Sequence, residues 1–172
     1  MINLKKFDIK SFFKEVDEIF DEFKQEQMPS ECYGWRSWRI ERSFAKNSNG
    51  SLKHLYGERG RDFKDIENCF YEFKQVKNAF KYIETPEITT KNFYKNCLGV
   101  PKKSFDYLIV FDAERKAIGI YKWEHVEKKM KINDAKITVK LNLSETVQFF
   151  SYYDEIFENT TSLSWREIES DK

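Results

Sequence analysis

Histidine is scarce in this chain, with two in 172 residues, and its three cysteines are scattered. Cys32, Cys69 and Cys97 are odd in number and far apart, which excludes a disulfide framework and gives no zinc-ligand spacing. His54 and His125 stand without the histidine–asparagine constellation of a ββα-metal nuclease. An excess of either charge is also missing. Thirty Lys and Arg against 29 Asp and Glu leave a net charge of +1, so a nucleic-acid binder of this composition must gather its positive charge on one face. No apolar run approaches the length of a membrane span, and no secretory n-region and h-region precede a cleavage site. Internal repeats, low-complexity tracts and P-loop, helicase or methyltransferase signatures are absent too. These absences predict a reduced, soluble, cytoplasmic protein with no membrane partner.

The chain is rich in aromatic residues, with sixteen Phe and nine Tyr. That supply can fill a core although 34% of the residues are charged, because disordered chains lack such residues. The length suits one domain over 1–172.

Ile9, Phe12, Phe13, Val16, Ile19, Phe20 and Phe23 recur at helical steps, predicting an amphipathic helix over 9–26 that Met28-Pro29-Ser30 ends. Its apolar face suits either the domain core or a homodimer contact. In 33–46, Tyr33, Trp35 and Trp38 interleave with Arg36, Arg39 and Arg42. Such a segment can follow a nucleic-acid backbone, or it can be a strand or helix edge whose arginines pair with Glu31 and Glu41. A loop at 47–51 and a turn bracketed by Gly57 and Gly60 come next. Two strands are predicted at about 62–67 and 69–77, with a tight turn near Asn68. A helix is expected at about 90–98, a buried strand at Tyr107–Phe111, a polar turn at 112–116 and a strand from Ala117 to Trp123. A half-buried strand follows at 137–143, and Ser144 is expected to cap a final helix running through Val147, Phe150 and Phe157. This order predicts an α+β fold with an α/β-type core, a mixed β-sheet flanked by helices.

Side chains alternate along a strand, so Glu72 and Lys74 share one face while Tyr71 and Phe73 take the other. Asp62 lies ten residues before Glu72, and a hairpin turning near 66–68 would return it to that side. Two carboxylates so close repel unless a divalent cation lies between them, and carboxylate oxygens with water suit Mg²⁺. A neighbouring lysine can then polarise or deprotonate a bound water for in-line attack on a phosphate. Acid-x-Lys is a weak motif here. It occurs seven times, starting at Asp8, Glu22, Asp62, Glu72, Glu114, Glu127 and Asp134. Glu72 stands apart because it lies in a β-rich aromatic segment with a Gly-flanked acid at hairpin distance upstream.

At these residues the sequence resembles the PD-(D/E)xK nuclease superfamily, and within it the PvuII type of restriction endonuclease. The resemblance rests on the Gly-rich turn, Asp62, an interval to Glu72 identical to the family's, and the run Tyr71-Glu72-Phe73-Lys74. The strand pair at 107–111 and 117–123 is similar in order and length, so about 55–125 would be the catalytic core. The resemblance implies a restriction-endonuclease-like fold. It casts Asp62 and Glu72 as metal ligands with the Phe73 main-chain carbonyl, and Lys74 as the catalytic lysine. It implies Mg²⁺, with Mn²⁺ substituting, and a homodimer that cuts double-stranded DNA at a two-fold symmetric site. Arg61 stands where the family often has proline, and Glu58 is one position from the expected supporting acid. Asp65 is a rival for Asp62.

DNA-contact candidates are Arg36, Arg39, His54 and Lys77, together with Thr89, Thr90, Lys91 and Asn92 after the lysine, where the family often reads bases. Thr89 or Thr90 could equally cap the following helix, and Lys81 and Lys95 are further phosphate candidates. Two other readings remain: a structure-specific repair or junction-resolving nuclease, and a DNA-binding or regulatory protein with no enzymatic activity.

Overall fold

The computed structural model describes residues 1–76, 87–90, 103–133, 136–152 and 164–166. Helix α1 (Ile9–Gln25) starts where the Asp8 carboxylate accepts the Ser11 N–H at 3.1 Å. It ends before Gln27, whose φ of 48° lies in the left-handed region, and Pro29 follows. Its stripe of Phe12, Phe13, Val16, Ile19 and Phe23 is buried in the core. The apolar face is therefore occupied within the chain. Helix α2 (Tyr33–Lys46) follows and packs against α1, with Ile40 and Phe44 fully buried. Of the two shapes open to 33–46, the helix forms.

A seven-stranded mixed sheet runs in the order β1-β2-β3-β5-β6-β9-β10. Its members are β1 (Leu52–His54), β2 (Phe63–Asp65), β3 (Phe70–Gln75), β5 (Tyr107–Asp112), β6 (Ala117–Lys122), β9 (Gln148–Ser151) and β10 (Ser164–Arg166). Strands β3 and β5 are parallel, with Glu72 opposite Leu108 and Lys74 opposite Val110, and the other pairings are antiparallel. A smaller antiparallel sheet joins β4 (Glu87–Thr90), β8 (Lys136–Lys140) and β7 (Met130–Asn133), the last entered from helix α3 (Trp123–Lys129). The fold is α+β.

The large sheet is covered on both faces. On one, Phe63, Tyr71, Phe73, Ile109, Phe111, Ile118 and Phe150 meet the stripes of α1 and α2. On the other, Leu108, Val110 and Tyr121 meet Trp123 and Val126 of α3 and Ile137 and Val139 of β8, with Phe70 and Val76 packed alongside. Double coverage explains why 107–111 reads as an unbroken apolar run. Among the described residues no helix is long and apolar enough to cross a membrane.

The C-terminal part corrects the expected final helix. Leu143–Glu145 makes one 3₁₀ turn, and Gln148–Ser151 is strand β9, paired with β6 so that Ile118 faces Phe150 and Gly119 faces Phe149. Phe149 and Phe150 are adjacent and both buried. A strand within a doubly covered sheet can bury neighbouring rings on opposite faces while β6 satisfies its backbone, which an amphipathic helix cannot do. Residues 153–157 of that expected helix lie outside the described residues. Likewise Thr90 belongs to strand β4, and 91–98 of the helix expected at 90–98 lie outside them. The strand expected to reach Trp123 stops at Lys122, and Trp123 opens α3 instead.

Candidate metal and phosphodiester site

The site is built around the β1–β2–β3 meander. Between β1 and β2 the chain makes a loop in which Gly57 and Gly60 adopt φ of 72° and 77°, a region costly for any residue with a Cβ. The loop closes when the Leu55 N–H donates to the Asp62 carbonyl at 2.8 Å. The Asp62 N–H then donates to the Tyr71 carbonyl at 2.7 Å, fixing Asp62 beside β3. The β2–β3 turn carries Asn68 at φ 65°. Asp65 organises this turn: its Oδ1 accepts the N–H groups of Glu67 and Cys69, each at 2.9 Å, and its Oδ2 accepts the Tyr71 hydroxyl at 2.6 Å. Burial and the Asp65 bond hold that hydroxyl protonated well above the ordinary phenol range.

Tyr71 and Phe73 are sealed in the core, while Glu72 and Lys74 point to the opposite side, as alternation requires. Antiparallel pairing with β2 covers only Phe70 and Tyr71. Beyond it the Phe73 N–H donates to Asp62 Oδ2 at 2.7 Å. In an extended strand the carbonyl of a residue points to the same edge as its N–H, so the Phe73 carbonyl is directed to the Asp62 side as well.

Two carboxylates meet there, and a third lies close enough for its charge to be felt. The Asp62 and Glu72 carboxyls come within hydrogen-bonding reach of each other, an arrangement that needs a shared proton or a cation. Burial chiefly, then the Glu72 charge, pushes Asp62 up to about 7, against the opposing pull of the Phe73 N–H and Lys74. Lys74 Nζ pairs with Glu72 Oε1. The buried Glu72 Oε2 has no hydrogen-bond donor among the described residues.

The third carboxylate, Glu41 on α2, was not picked out from the sequence as a site residue. Burial first, then the charges of Asp62 and Glu72, push Glu41 up to about 8, with Lys74 opposing. His54, buried at the end of β1, lies with Nε2 3.2 Å from Glu41 Oε2. Burial, and secondarily Arg42, lower the His54 pKa, so a neutral ring meets Glu41. Glu41 had a faint signal: it lies between Ile40 and Phe44 at the border of the apolar stripe of α2, where a lone acid is held near the core.

Buried Glu72 and half-buried Asp62, with one lysine and one oxygen lacking a donor, and with Asp62 and the nearby half-buried Glu41 pushed toward protonation, fit a hard divalent cation. Asp62, Glu72 and the Phe73 carbonyl could hold it, with the Glu41 charge close by. Asp65 does not compete, because its oxygens are engaged by the turn and by Tyr71. Asp65, Glu67 and Cys69 bring ligand atoms within 4.8 Å of one another, but the Met1 ammonium pairs with Asp65 and Glu67 there. Glu58 is exposed and pairs with Arg61.

The DNA-contact candidates divide. Arg39 makes a bidentate pair with Glu22, both bonds 2.8 Å, and lies over Phe23 and Trp35. Arg36 lies over Phe20 and Tyr33, so both arginines stitch α2 to α1 and neither reaches the carboxylates. Thr89 and Thr90 belong to β4, opposite Thr138 and Ile137, and the helix they were expected to cap lies outside the described residues. Lys77, Lys81, Lys91, Asn92 and Lys95 lie outside the described residues. Sequence reasoning passed over the β1–β2 face. There Lys53 stands directly opposite Lys64, neither with a carboxylate partner among the described residues, and Arg61 and Lys64 both lie over the Phe70 ring. Directly opposed like charges destabilise a strand pair unless an anion lies across them. No protein-family model matches the chain, and no curated protein matches it.

Proposed function

We propose that the chain is a Mg²⁺-dependent deoxyribonuclease with a restriction-endonuclease-like fold. In its specific form it is a type II endonuclease that hydrolyses double-stranded DNA at a short symmetric site, leaving 5′-phosphate and 3′-hydroxyl ends. The convergence of Asp62 and Glu72 on the Phe73 peptide, with Lys74 beside them, carries this reading. The PvuII-like spacing and the lysine-lined β1–β2 face support it.

In this reading Asp62, Glu72 and the Phe73 carbonyl would hold the cation, with the Glu41 charge close by. When bound, Mg²⁺ neutralises charge that develops on the phosphoryl oxygens. Lys74, as an ammonium, would position the attacking water and stabilise the negative charge that develops as the water loses its proton to solvent. Its pairing with Glu72 fixes the ammonium and keeps it from swinging into solvent. The 2.7 Å bond from the Phe73 N–H orients the Asp62 carboxylate, so the site needs little rearrangement on binding. His54 holds Glu41 in the same way. Cutting both strands of a symmetric site calls for two copies, and the assembly is proposed as a homodimer in the cytoplasm. Because α1 spends its apolar stripe on the core, the dimer contact is assigned elsewhere.

The test is incubation with unmethylated phage DNA and Mg²⁺, alongside a Lys74→Ala control. Discrete fragments, lost in the variant while DNA binding persists, are expected. Intact DNA with Mg²⁺ and with Mn²⁺, on linear and branched substrates alike, would overturn the nuclease reading. Cleavage of branched DNA alone would replace the type II reading by a structure-specific one.

A further inference from the structure

Tyr56 is 64% exposed, large and aromatic, and it stands at the start of the loop that delivers Asp62. Its ring is supported from behind, with centroids 4.7 Å from His54 at 71° and 6.0 Å from Trp38 at 50°. The exposed Arg42 places its guanidinium 5.4 Å from the Trp38 ring centroid. Behind the rings, His54 touches Glu41 of the carboxylate cluster. An exposed Tyr set on the buried His54 ring and the half-buried Trp38 ring loses little side-chain entropy when a flat ligand stacks on it. The flat surface therefore lies two contacts from the acids, with a cation at its margin.

We propose that Tyr56, Trp38 and Arg42 form a receiving surface for an unstacked nucleobase next to the cleaved phosphate. The inference rests on the nuclease reading and adds a substrate requirement: one nucleotide leaves the base stack when the phosphate reaches the carboxylates. A nucleotide matches the chemistry because its base offers a π-face to Tyr56 and Trp38, and its own or the adjoining phosphate meets Arg42. A base inside an intact duplex offers only its edges, which rings so placed cannot stack on. The unstacked base has two sources: a single-stranded end or branch, or a base displaced from within a duplex.

The experiment uses 2-aminopurine, whose fluorescence changes on stacking, in two DNAs: one with the probe in a single-stranded overhang, one with it paired inside a duplex. Binding to the full chain is followed with Ca²⁺ in place of Mg²⁺, by probe emission and by anisotropy of a separate dye. Wild type is expected to quench the overhang probe. Tyr56→Ala should relieve that quenching and weaken binding roughly tenfold, and Tyr56→Phe, which keeps the π-face, should behave as wild type. A wild-type response in the overhang alone assigns the surface to ends and branches, and a Tyr56-dependent response in the duplex assigns it to a displaced base. If Tyr56→Ala matches wild type in both DNAs while Lys74-dependent cleavage persists, this inference falls and the nuclease reading stands. If wild type neither binds nor cleaves any nucleic acid with Mg²⁺ or Mn²⁺, both fall together.

Discussion

Replacing Glu41 by Gln removes one charge from a cluster of three carboxylates and a single lysine, and it should raise the stability of the metal-free protein. The folded pKa of Glu41 is about 8, above the 4.5 of a free glutamate. For an acid shifted in this direction the folded state holds the proton more tightly. The stabilisation is complete below pH 4.5 and is lost as pH climbs toward 8. At pH 8.5 without metal, ionised Glu41 then opposes folding by about 3–5 kcal/mol, which Gln removes while its Oε1 still accepts from His54. For a chain of this length each kcal/mol moves Tm by about 2–4 °C. Glu41→Gln in EDTA should therefore melt at least about 6 °C above wild type at pH 8.5, and close to wild type at pH 4.5. Mg²⁺ reverses the ranking of the gains. A tenfold excess over Kd stabilises wild type by about 1.4 kcal/mol, and a tenfold loss of affinity in the variant leaves about 0.4 kcal/mol. Differential scanning fluorimetry across pH, with and without Mg²⁺, reads both quantities. A variant no more stable than wild type at pH 8.5 in EDTA, or one with an undiminished Mg²⁺ shift, would refute the placement of Glu41 in the site.

Three further outcomes follow from other parts of the molecule. Asp65→Ala should lower stability by about 2–3 kcal/mol through loss of its turn and Tyr71 bonds yet keep the Mg²⁺-induced rise in Tm, whereas Asp62→Ala should abolish that rise; the opposite pattern would exchange their roles. Lys53→Ala with Lys64→Ala should flatten the dependence of log K on log salt for duplex DNA by about 1.8, measured by anisotropy, and an unchanged slope would remove the β1–β2 face from the DNA path. Phe44 meets the rings of Phe7, Phe12, Phe63 and Phe73, so Phe44→Ala should destabilise by about 3–5 kcal/mol in urea titration, and a loss under 1 kcal/mol would contradict the packing described.

What could be read from the sequence was whatever depends on local spacing. The α1 stripe, the turn at Asn68, the β5–β6 hairpin and the shared face of Glu72 and Lys74 all repeat over a few residues, and each appears in the structure. What depends on distant pairing stayed hidden. Ser144 to Phe157 has helical spacing, but Phe149 and Phe150 are drawn into a sheet by β6, about thirty residues upstream. In 33–46 the three-residue steps of Arg36, Arg39 and Arg42 were helical, yet the mixture of rings and charges masked the stripe of Ile40 and Phe44. Glu41 comes near the site because α2 crosses next to β1, a tertiary contact at which its place beside the α2 stripe only hints.

The alternation along β3 has a consequence for how the protein tolerates change. Tyr71 and Phe73 lie in the core, and Glu72 and Lys74 project to the other face. A slip of one residue in pairing with β5 would turn two rings out and two charges in. The site therefore cannot drift gradually out of alignment: a displaced catalytic pair is at once a broken core. Insertions or deletions within 62–74 should then yield chains that fail to fold, not folded chains with weakened chemistry, and the search for altered activity is better directed at α2 and the 55–61 loop, where side chains can change without moving the ladder.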